Sequence, residues 1–163
     1  MIFTMAQLKG KDLLVANTSN VKEMKNGRPM NVKAPAADLP NCTIVKLGAA
    51  GEGVEDHVYT VTVVEGSIAA EDLTAGLIYV MVAPEIMVEE ARRTDGHIGL
   101  FRFEEGQVYT AYQLSKHDRL ELAEGHPAIA LGTEVGDRQM AEAMYLLAAG
   151  DKQAAIKMIK VEF

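Results

Sequence analysis

The stretch Phe103-Glu104-Glu105-Gly106-Gln107-Val108-Tyr109-Thr110-Ala111-Tyr112-Gln113-Leu114-Ser115-Lys116-His117-Asp118-Arg119-Leu120-Glu121-Leu122 decides the fold class. It reads as strand, tight turn, strand, turn, strand. Gly106 and the Lys116 to Asp118 cluster supply turn chemistry, and aromatic and β-branched residues fill the extended parts. Ile98 to Phe103 and Gln107 to Leu114 pattern as a hairpin around Glu104-Glu105-Gly106. Short strands follow at Arg119 to Ala123 and Ala128 to Leu131, where a catalytic loop would otherwise be sought.

Upstream, His57 to Val64 is the most β-prone run of the chain. Thr43 to Leu47 is a further strand. Leu77 to Val82 is apolar throughout, which suits a strand buried on both faces. Asp12 to Ala16 is a short strand. Asn26-Gly27, between the alternating segments of 21–32, signals a hairpin with a type I′ turn. Ile68 to Leu73 reads as a helical turn with Ser67 as its N-cap, and Glu85 to Thr94 fits a short helix or an extended segment. Met140, Ala143, Met144, Leu147 and Ala148 share one helical face, so 138–149 reads as a helix capped by Asp137 and closed by Gly150. Residues 154–163 end in a strand. The expected fold is mainly β (α+β). It is a compact antiparallel sandwich or barrel-like domain over 34–163, with an N-terminal arm and β-hairpin over 1–33 and one short C-terminal helix.

Length fits one domain with its own core. Cys42 is the only cysteine, so an intrachain disulfide is impossible, and the thiol reads as a small buried hydrophobe. No run of 18 apolar residues is long enough to span a membrane as a helix, and the opening Met1 to Met5 lacks a signal-peptide pattern. A net charge of −7 argues against nucleic-acid binding, which needs a basic footprint. The charge is uneven. Residues 1–33 carry Lys9, Lys11, Lys22, Lys25, Arg28 and Lys33 against Asp12 and Glu23, a net of +4, which leaves −11 for the rest. A basic arm on an acidic body suits docking onto an acidic surface, or a lysine-guarded strand edge.

Motifs of catalysis are missing from the sequence. Gly48 to Gly53 lacks the Lys-Ser/Thr of a phosphate loop and precedes a strand. His57, His97, His117 and His126 are scattered, with no HExxH. There is no G-x-S-x-G elbow, and Glu89-Glu90 and Glu104-Glu105 are adjacent carboxylates instead of a pair facing across a cleft. The aromatic residues lie in strands, where core packing is the better reading than base stacking. These residues imply no catalytic group, no metal and no cofactor. A site assembled from distant residues, or a small ligand- or protein-binding module, are the competing readings.

Gly106, the strand Tyr109-Thr110-Ala111-Tyr112-Gln113-Leu114, the turn with Lys116 and Asp118, and Leu120-Glu121-Leu122 together resemble the small head-decoration, or cement, proteins of tailed bacteriophages. Lys11 to Asn17 and the Asn26-Gly27 segment resemble the N-terminal part of such structural proteins. The resemblance covers about half of the chain. It implies a non-enzymatic virion protein on the capsid surface, passing through the host cytoplasm during assembly. Its partner would be the major capsid protein, and itself where it forms trimers. It implies neither nucleic-acid nor membrane binding. Partner contacts would come from the arm: Ile2, Phe3 and Met5 as apolar anchors, with Lys9, Lys11, Lys22, Lys25 and Arg28. Another virion part, of tail or head-completion type, is the alternative.

Overall fold

Side chains that point to opposite faces of a few strands divide between two cores. In a computed structural model, which describes residues 16–83, 101–123, 125–133, 139–149 and 152–163, the elements run in the following order. They are β1 (Ala16–Asn20), α1 (Lys22–Lys25), β2 (Met30–Lys33), β3 (Leu39–Pro40), β4 (Ile44–Ala50), β5 (Val58–Val63), β6 (Ser67–Ile68) and α2 (Ala70–Thr74). Then come β7 (Ile78–Val82), β8 (Arg102–Phe103), β9 (Val108–Gln113), β10 (Arg119–Ala123), β11 (Gly132–Thr133), β12 (Gln139–Ala149) and β13 (Lys152–Glu162). The fold is mainly β, as its sequence implies.

Strands β2-β5-β4-β7-β9 close into a barrel. Closure leaves no free edge among these five strands. The β2–β5 pair is parallel and the other pairs are antiparallel. A second, four-stranded sheet has the order β1-β10-β13-β12. Two short pairs, β3–β8 and β6–β11, lock loops between these layers.

The run at 77–82 is buried on both faces, as its composition requires. Tyr79 and Met81 join Val32, Val45, Val61, Phe101, Phe103 and Ala111 in one core. Ile78 and Val80 face a second core with Ile44, Leu114, Leu120, Leu122, Ile159, Val161 and Phe163. In β4, Ile44 and Val45 divide in the same way. The four-stranded sheet thus packs against the outside of the barrel, and Leu120↔Val161 and Leu122↔Ile159 are cross-strand partners on its buried face. Burying each large side chain contributes about 1.5–3 kcal/mol.

Several local expectations need correction. The segment read as a helix at 138–149 is strand β12, paired antiparallel with β13 from Gln139↔Val161 to Ala149↔Lys152. Ala, Met and Leu favour helix only weakly, and the open edge of β13 offers a full ladder of backbone partners instead. The two residues between the paired ends, Gly150-Asp151, are a hairpin signal that the helical face concealed. Asn26-Gly27 does not form a type I′ turn. Asn26 has φ −78°, Gly27 has φ +64°, and 22–25 is one turn of helix that the glycine closes. Its amide donates to Met24 O at 3.2 Å, and the Arg28 amide donates to Glu23 O at 3.2 Å. Ala128 to Leu131 is not a strand either, because Pro127–Ala130 forms a 3₁₀ turn.

The turn at 104–107 is present, with the Gln107 amide donating to Glu104 O, but the strands beside it do not pair with each other. β8 bonds to β3, and β9 bonds to β2 and β7. Expectations for Asp12 to Val15, Glu85 to Thr94 and Asp95-Gly96 fall outside the described residues.

Gly48 is fixed by close approach. A Cβ there would lie 2.8 Å from Thr60 O and 2.9 Å from Thr60 Oγ1, at the register shift between β4 and β5. Gly48→Ala is therefore expected to cost about 1–3 kcal/mol through overpacking. Gly53 has open space around its Cβ position but φ +64°, so Gly53→Ala should cost roughly 1–2 kcal/mol from backbone strain alone. Urea unfolding of both variants checks this, and crystallography should show β5 displaced only in the first.

Candidate functional site

The basic residues of the arm are the first candidate. Ile2, Phe3, Met5, Lys9 and Lys11 lie outside the described residues. Lys22, Lys25 and Arg28 are all exposed and cluster on α1 and the turn after it. Lys22 and Lys25, three apart, share a helical face. None of the three makes an ion pair with another described residue.

What holds this basic turn in place is Asp118, which is only 5% exposed. Its Oδ1 accepts from the Lys22 amide at 3.2 Å, and its Oδ2 accepts from the Ser115 amide at 2.7 Å. His117, at φ +75°, reverses the chain so that Asp118 points inward while His117 stays exposed. The Phe163 amide donates to Asp118 O at 2.9 Å, and the His117 amide donates to Phe163 O at 2.6 Å. One carboxylate thus joins the start of α1 to the β9–β10 turn, and backbone bonds at the same turn hold Phe163. Asp118→Ala leaves two buried-side amides without their acceptor and is expected to cost about 2–3 kcal/mol.

A second candidate is a cleft of about 390 Å³ between β3, the ends of β4 and β5, and the 3₁₀ turn at 127–130. Leu39, Pro40, Ile44, Val63, Val64 and Leu131 give it an apolar lining. His126 forms part of its wall and is 2% exposed. Its Nδ1 accepts from the Ala128 amide at 3.1 Å, so Nε2 carries the proton and donates to Asn41 O at 2.7 Å. The imidazole is a neutral structural staple between 41 and the 3₁₀ turn. Asn41 Oδ1 in turn accepts from the Ala83 amide at 2.8 Å.

Beside it, Cys42 sits at φ +66° with its thiol buried, and burial pushes that thiol up to about 12. Such a group is an inert packing element. Thr43 Oγ1 donates to Pro40 O at 2.7 Å. A further groove of about 370 Å³ lies over β2 and β9, beside Tyr109 and the exposed Val108.

Three ion pairs among the described residues are exposed or partly exposed. Asp56–His57 is an exposed pair at 3.2 Å, and Lys46–Asp72 and Arg119–Glu162 pair at 3.1 and 3.5 Å. Among the described residues no group of three or more His, Cys, Asp or Glu is placed to hold a metal ion, and no helix is long and apolar enough to cross a membrane. Phe101, Phe103 and Tyr109 pack edge to face with centroids 4.7–6.2 Å apart, as core residues. Asp118, Asn41 and His126 are the positions that sequence reasoning did not single out as organising groups. Only the turn chemistry around them was visible.

Burial holds the pKa of His126 below its ordinary 6.5, the nearby Arg102 charge lowers it further, and the bond to Asn41 opposes both. The unfolded chain therefore binds this proton first. Stability from this site is full above about pH 6.5 and is lost as pH falls from there through the depressed value. Chemical denaturation from pH 7.5 to 5 should show that decline, and His126→Asn should flatten it. Cys42 should resist iodoacetamide at pH 8 until the chain unfolds.

No protein-family profile, no curated protein and no solved structure matches this chain.

Proposed function

We propose that the chain is a non-enzymatic virion structural protein. It binds the outer surface of an assembled phage capsid and stabilises it by clamping neighbouring major capsid protein subunits. One observation carries this reading: the β12–β13 ribbon extends beyond the sheet it belongs to. β10 pairs with β13 only over Met158–Glu162, so, among the described residues, 152–157 pair with β12 alone. At about 3.4 Å per residue, that overhang reaches roughly 20 Å. A two-stranded ribbon is marginal in water without a covering surface.

The outer strand reinforces the point. Among the described residues β12 is the end strand of its sheet, and over its eleven residues it carries one charge, Glu142, and no proline. Lysines, prolines and short length are the usual protection of such an edge, and they are missing here. An unguarded edge suits strand addition by a partner, where backbone bonds give affinity. The exposed cations at Lys22, Lys25 and Arg28 supply electrostatic steering to an acidic lattice. Many identical weak contacts on a repeating shell then add up to firm attachment. A ligand- or protein-binding module is the second reading, favoured by the apolar cleft beside His126.

Purified particles of the parent virus, analysed by quantitative mass spectrometry, test this directly. Copy numbers in the hundreds, with hydrogen exchange at 139–160 slowed at least ten-fold on the particle relative to the free protein, are expected. A handful of copies would move the protein to the tail or neck, and absence from particles would overturn the proposal. Replacing Lys22, Lys25 and Arg28 together by Glu should weaken capsid binding several-fold at low salt, with the difference shrinking as salt rises. Removing residues 1–9 should abolish binding with the fold intact.

A further inference from the structure

We propose that the cleft beside His126 is a preformed site for a small apolar group and that it disfavours an anionic head relative to a cationic one. This goes beyond the capsid reading and does not depend on it. Size is the first argument. About 390 Å³ lies within the range of small-molecule sites and well above what one or two waters fill.

The second argument is the chemistry of the lining. Pro40, Ile44, Val63, Val64 and Leu131 present hydrocarbon. The side chains of His126 and Thr43 in the wall are already engaged. Both nitrogens of His126 bond to backbone, and Thr43 Oγ1 donates to Pro40 O. A ligand therefore finds no hydrogen-bond partner among these groups, and its gain comes from removing apolar surface from water. Groups that need hydrogen bonds would lose them on entry and bind worse.

The third argument is rigidity. The 3₁₀ turn forming one wall is pinned to residue 41 by the imidazole, and Asn41 is pinned to residue 83. A wall fixed in advance does not have to be ordered on binding. At the rim stands Glu65, exposed and without an ion-pair partner among the described residues. Arg102 donates to Phe101 O and is not part of the lining. Among the described residues, Glu65 is the only acidic or basic side chain that lines the cleft. A cationic head is therefore favoured there over a carboxylate.

Three probes that share one ring separate these contributions: benzyl alcohol, benzylammonium and benzoate. The full chain, labelled at its methyl groups, is titrated with each at low salt. The expected result is saturable shifts confined to the methyls of Leu39, Ile44, Val63, Val64 and Leu131 with the alcohol and the ammonium. Benzoate should bind about two- to five-fold more weakly than benzylammonium, the scale of one exposed charge contact. In Glu65→Gln, an exposed change that leaves the fold intact, that gap should close. Shifts that do not saturate, that spread over other core methyls, or that are equal for benzoate and benzylammonium in the unaltered chain would each overturn the proposal.

Discussion

One strand buried on both faces is the constraint on which the structure depends. β7, with Ile44 and Val45 at the start of β4, forms the wall that the two cores share, so side chains go alternately to the barrel interior and to the layer beneath the four-stranded sheet. A one-residue slip of β7 would exchange the two sets. Tyr79 and Met81 would then meet the sheet, and Ile78 and Val80 would enter the barrel beside Phe101 and Phe103. The register is therefore fixed from both sides at once. The barrel and the sheet rise or fall together because they are built on the same backbone.

Around that wall, the connections are held by buried polar groups instead of by long secondary structure. Asp118 gathers the start of α1, the β9–β10 turn and the C-terminal residue. His126 and Asn41 tie the 3₁₀ turn and the end of β7 to the β3–β4 corner. These groups are satisfied by backbone partners, which is the condition under which polar burial is tolerated. Their chemistry is spent on architecture. His126 and Cys42, the residues a search for catalysis would pick first, serve as staple and packing.

The surfaces left for partners follow from the same arrangement. Barrel closure hides the edges of five strands, while among the described residues the four-stranded sheet ends at β1 and β12. The exposed cations of α1 follow β1, at the opposite end of that sheet from β12.

The sequence by itself determined the class of the fold and most of its strands. Period-two alternation and turn residues mark 58–63, 78–82 and 119–123 locally, because those strands are amphipathic or wholly apolar over their own length. The basic character of Lys22, Lys25 and Arg28 was equally legible, since charge needs no fold to be counted. Pairing was not legible, because backbone bonds carry no side-chain label. The turn at Gly106 is real, yet the strands on either side go to different partners. Residues 139–149 show the limit most clearly. Ala, Met and Leu at helical spacing suit either conformation, and the open edge of β13 decides for strand. The cleft and its staple were hidden for a related reason. Leu39, Val63, His126 and Leu131 lie far apart in the chain, and only the closing of the barrel and the docking of the 3₁₀ turn bring them to one place.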